Sequence, residues 1–154
     1  MLSLVHVGLS VVCLIIGAVI FFRPKADEWH RRMGKIYALS MIGLNVAGLC
    51  IYHLTGHFNL FHFTAVLNLA LVLIGWFQVI LRRRLRRWLY RHYVYMCWSY
   101  TALVAAAINE SFVRISPLKE LVRQAGNWVI IATQVILILV AAVVIKRNQG
   151  RMVG

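Results

Sequence analysis

Five long apolar runs occupy most of this chain: residues 2–22, 34–53, 60–81, 92–113 and 127–145. Each is close to the roughly 20 residues that an α-helix, rising about 1.5 Å per residue, needs to cross about 30 Å of hydrocarbon. A 62% hydrophobic content and a mean hydropathy of +0.78 place the chain in the membrane class. Its 154 residues are read as one domain, 1–154.

The charges between the runs are one-sided. Arg23, Lys25, Arg31, Arg32 and Lys35 separate runs 1 and 2, and Arg82, Arg83, Arg84, Arg86, Arg87 and Arg91 separate runs 3 and 4. Lys146, Arg147 and Arg151 follow run 5. Only Arg114, Lys119 and Arg123 lie on the other side, so the balance is fourteen against three. Lys and Arg stay with cytoplasmic loops, which predicts an N-terminus outside, a C-terminus inside, and a multi-pass protein of the cell inner (plasma) membrane. Insertion and contact with lipid headgroups account for the net charge of +13 without nucleic acid as a partner.

Run 1 is too long for the apolar core of a signal peptide and lacks a positive charge before it, so a retained span is expected. Cys13, Cys50 and Cys97 all fall inside spans, and an odd number there argues for small packing residues over a disulfide framework. Pro24 and Pro117 lie between spans, leaving no proline kink. Asp27 and Glu28 suit the start of a helix running on through His30, and helix 4 is expected to begin before residue 92. The short connection from His53 to His62 makes helices 2 and 3 antiparallel neighbours. The segment 114–126 is expected to be a polar external loop. The expected fold is all-α: an integral membrane helical bundle of five transmembrane helices, a four-helix core plus a fifth.

The topology sorts six histidines into two layers. His6, His53, His57 and His62 fall in the outer one, with Glu110; His30 and His92 fall in the inner one. Ionisable groups at membrane depth are expensive and point to function by default. His6, Ser10, Cys13 and Gly17 follow one helical face, and His92, Ser99, Ala106 and Glu110 follow another, with Asn109 beside it. Small and polar stripes of this kind form helix–helix seams in membranes.

Three blocks resemble a known family: His30-Arg31-Arg32-Met33-Gly34-Lys35-Ile36-Tyr37, Phe58-Asn59-Leu60-Phe61-His62, and Arg91-His92-Tyr93-Val94-Tyr95-Met96-Cys97-Trp98-Ser99-Tyr100. They are similar to the blocks of the bacterial membrane-protein family known as domain of unknown function 2306, over roughly residues 3–115. Its histidine pattern falls on His6, His30, His62 and His92, whereas His53 and His57 look peculiar to this sequence. The resemblance implies a multi-span membrane protein and leaves the chemistry to the residues.

Three readings of those residues compete. In the first the chain is a b-type cytochrome-like electron-transfer protein: His6 with His62 and His30 with His92 each ligate a haem b, with Arg31, Arg32, Lys35 and Arg91 pairing propionates at the inner one. Glu110 and Asn109 would then serve a quinone or a redox partner in the outer layer. In the second, His6, His53, His57, His62 and Glu110 hold a Zn, Cu or Fe ion on the outer face. In the third the protein is a non-catalytic transport, accessory or assembly protein whose histidines bridge helices. No Gly-rich phosphate loop, Gly-x-Ser-x-Gly elbow or aspartate pair supports soluble-enzyme chemistry.

Overall fold

The computed structural model describes residues 1–23, 27–51, 56–58 and 60–153. The described residues form six helices and no strand: α1 (Leu2–Phe22), α2 (Glu28–Leu49), α3 (Leu60–Ile80), α4 (Trp88–Arg114), α5 (Ser116–Ala125) and α6 (Trp128–Val153). They divide into two compact units, Met1–Tyr100 and Thr101–Gly154, with α4 crossing the boundary.

In the first unit α2 packs against both α1 and α3. The start of α1 meets the end of α2 through His6 and Leu44, while Gly17 further along α1 meets Tyr37 near the middle of α2. Gly48 at the end of α2 faces Ala65 near the start of α3, and Gly75 near the end of α3 faces Met96 near the start of α4. Successive helices are therefore antiparallel, as the short connections require. Buried positions repeat at helical spacing. On α2 they are Tyr37, Ala38, Met41, Leu44, Asn45 and Ala47, and on α3 His62, Asn68, Val72, Gly75 and Gln78.

Local chemistry sets the start of α2. Asp27 caps it, Oδ1 accepting from the His30 amide at 2.6 Å, a contact type worth about 1 kcal/mol. The helix therefore starts six residues before the apolar run does, because polar residues can form its first turns where they need not meet hydrocarbon. The Arg23 guanidinium lies 4.5 Å from the centre of the Trp29 ring and ties the end of α1 to that first turn.

Among the described residues, three helices are long and apolar enough to cross a membrane: α1 over Leu2–Phe22, α3 over Phe61–Ile80, and α6 over Trp128–Asn148. The polar first turns of α2 (Glu28, His30, Arg31, Arg32, Lys35) and of α4 (Tyr90, Arg91, His92) lower their apolarity. In the second unit, the expected loop 114–126 is instead the helix α5. Pro117 suits a first turn, where no amide partner is needed, and Gly126 at φ 78° stops the helix with its N–H on Val122 O at 2.7 Å. Its charged residues obscured a helical spacing of Leu118, Leu121, Val122 and Ala125.

Candidate functional site

Each of the four helices α1 to α4 carries one histidine within its first two turns: His6, His30, His62 and His92. Because the helices alternate in direction, His6 and His62 fall at one end and His30 and His92 at the other.

At the first end, His6 Nδ1 donates to Leu44 O of α2 at 3.1 Å. A carbonyl only accepts, so Nδ1 carries the proton in this contact and Nε2 points elsewhere. The imidazole lies against Gly48, its Cε1 3.2 Å from where a Cβ would stand, and Ala65 faces the same glycine at 4.0 Å. His62, one turn before Ala65 and only 2% exposed, packs on the Phe58 ring with centroids 5.2 Å apart. His6 and Ala65 thus bear on the glycine-containing end of α2.

At the other end, His92 Nδ1 donates to Gly75 O of α3 at 2.8 Å, the same tautomer and the same kind of acceptor. Gly75 is buried: a Cβ there would stand 2.8 Å from Met96 Sδ and 3.2 Å from Tyr95 Cβ. Gln78, one turn on, buries an Oε1 that has no hydrogen-bond partner among the described residues. His30 Nδ1 is buried as well.

A closely packed seam separates the two layers. Gly17 is buried where the Tyr100 ring crosses it; a Cβ would overlap that ring and come within 3.1 Å of Tyr37. Tyr37 and Ser99 share a hydrogen bond at 3.4 Å, and Tyr100 donates to Leu14 O at 3.1 Å. Cys13, Met41 and Ser99 are fully enclosed. The small and polar face expected on helix 1 is therefore real. On helix 4 the stripe holds at His92 and Ser99 but fails at Ala106 and Glu110, both exposed.

The remaining candidates fare differently. His53 lies outside the described residues. His57 is exposed, just after Gly56 at φ 67°. Glu110 forms an ion pair with Arg114 one turn along α4. Asn109 Oδ1 accepts from Gln134 Nε2 of α6 at 2.8 Å. Both side chains named for quinone chemistry are thus engaged within the second unit. Among the described residues, no three His, Cys, Asp or Glu side chains are placed to hold a metal ion.

Two features of the site carry little pattern in the sequence. Gly48 makes room for His6 and Gly75 for Met96 and Tyr95, and their only signal is a glycine within an apolar helix. The acceptors Leu44 O and Gly75 O are backbone atoms with no signature at all.

Among known families, the model of one described as predicted membrane protein (DUF2306) matches residues 3–145. No curated protein and no solved structure matches the chain.

Proposed function

We propose, from the premise that this chain belongs to that family of predicted membrane proteins, that it is a haem-binding electron-transfer protein spanning the bilayer five times. In this reading α2 and α4 cross the membrane beside α1, α3 and α6, with the N-terminus outside. One observation carries it: four successive helices each place a histidine in their first two turns, two at either end of the bundle.

The donor set suits haem better than a bare ion. A porphyrin supplies four of the iron's ligands, so two imidazoles per layer complete the site, whereas a zinc site needs three or four protein ligands. A metal-ligating histidine usually anchors its other ring nitrogen on a carbonyl or carboxylate. His6 and His92 have that anchorage through Nδ1, with Nε2 left to ligate. A haem held by these histidines would supply one-electron transfer. The protein's part is to orient the rings, exclude water through the Gly17–Tyr37–Tyr100 seam, and offer Arg31, Arg32, Lys35 and Arg91 to propionates at the His30–His92 layer.

The same two hydrogen bonds favour a second reading, in which the histidines only clamp helices and the protein is a non-catalytic accessory or transport component. A visible spectrum of protein purified from haem-sufficient cells separates the two. A Soret band with sharp α and β bands on reduction is expected; its absence sinks the haem reading and leaves the clamp. His62→Ala is expected to lose the haem of its layer while His53→Ala keeps it, and equal loss would contradict the pairing.

A further inference from the structure

We infer that α5 is an interfacial helix, lying in the headgroup region of the bilayer with its apolar face in the acyl boundary. Leu118, Leu121, Val122 and Ala125 stand at i, i+3, i+4 and i+7, one face of the helix. No residue of α5 is buried, and Leu121 is 44% exposed. The opposite face is self-contained and polar. Arg123 donates to both carboxylate oxygens of Glu120, at 2.8 and 2.7 Å, and Gln124 Nε2 donates to Glu120 Oε1 at 2.8 Å. Lys119 completes it.

Connectivity identifies what covers the apolar face. Two residues after α5 ends, α6 begins at Trp128, and α6 is long and apolar enough to span. α5 packs against α6, so it is held at the level where that helix meets the headgroups. Ten residues make a helix about 15 Å long, half of what a span needs. A short helix with strong two-faced character lies in the interface instead, its apolar side a few ångströms into the acyl boundary. Trp128, 75% exposed, and Ile115, 49% exposed, flank α5 at its two ends. Tryptophan at that level is a customary interfacial anchor. The bilayer, rather than a second protein, is the occupant because two residues tie α5 to a helix long and apolar enough to cross it.

The test uses the full chain in vesicles of phosphatidylcholine with a minority of phosphatidylglycerol. Leu121→Trp and Lys119→Trp each add emission to the native signal, and the increment over wild type is read against two quenchers. Brominated acyl chains are expected to quench the increment at position 121, and aqueous iodide the increment at 119, with ratios differing severalfold. If iodide quenches both alike, α5 stands off the membrane and the inference fails. If neither quencher reaches position 121, protein covers that face and the inference fails equally.

Discussion

The two units of this molecule solve the problem of membrane helix packing differently. In Met1–Tyr100, polar and small residues are turned inward: His62, Asn45, Asn68, Gln78 and Ser99 are buried, and Gly17, Gly48 and Gly75 let neighbours approach. In Thr101–Gly154, α6 keeps Ile131, Val135, Ile136, Leu139, Val140 and Val143 exposed, and its polar link is the Gln134–Asn109 pair. Lipid tails are as apolar as leucine, so hydrophobicity alone does not select one helix partner over another. Close approach and polar contacts do, and they are concentrated in the half that carries the four histidines. The second unit is instead built to satisfy the membrane, with one helix apolar enough to cross it and one two-faced.

The strongest way to break this contrast is at the glycines. Gly17→Val drives side-chain atoms into the Tyr100 ring, and overpacking of that kind costs about 1–3 kcal/mol. Gly8→Val on the same helix meets no neighbouring atom within 4 Å and is expected to leave the thermal midpoint in detergent unchanged. Equal effects would show that the seam is not specific. Next comes His92→Leu, which keeps bulk but removes the bond to Gly75 O; a loss of about 1 kcal/mol is expected in equilibrium unfolding. A double-mutant cycle on Gln134→Leu and Asn109→Leu should return a coupling of about 0.6 kcal/mol, typical of one interhelical hydrogen bond. A larger value would make the second unit as polar-specified as the first.

The smallest effect is expected on α5. Arg123 and Gln124 hold the Glu120 carboxyl below the usual carboxylate range. Its folded pKa is depressed, so the ion pair is fully formed above the ordinary carboxylate pKa and is lost as pH falls through the lowered one. The pair lies at the surface, and solvent screening leaves such pairs little weight. Glu120→Gln should therefore leave the neutral-pH thermal midpoint unchanged; a clear drop would mean that α5 is held by its charges rather than by its apolar face.

Much of this was legible in the residues because it follows from local or one-dimensional patterns. The apolar runs and the Asp27 cap announce helices, and the inward face of His6, Ser10, Cys13 and Gly17 follows from a period of 3.6. Patterns failed where two signals were superposed. In 114–126 the charges of Lys119, Glu120 and Arg123 read as loop, although the leucine spacing beneath them was helical. On α4 the stripe from His92 was extended to Glu110, but the carboxylate turned to Arg114 on its own helix instead. Charge was a depth gauge along the chain and said nothing about partners across it.

Apolar length, the one-sided cations and the position of a histidine near the start of each of α1 to α4 were properties of the chain itself, since a helix forms wherever hydrocarbon leaves its backbone no other way to hydrogen-bond. The choice of partners was not. That His6 rests on Gly48 and bonds to Leu44 O, and that His92 finds Gly75 O, depends on the depth at which antiparallel neighbours slide into register. Side-chain volume against a bare glycine sets that depth, and no single helix contains both halves of such a contact.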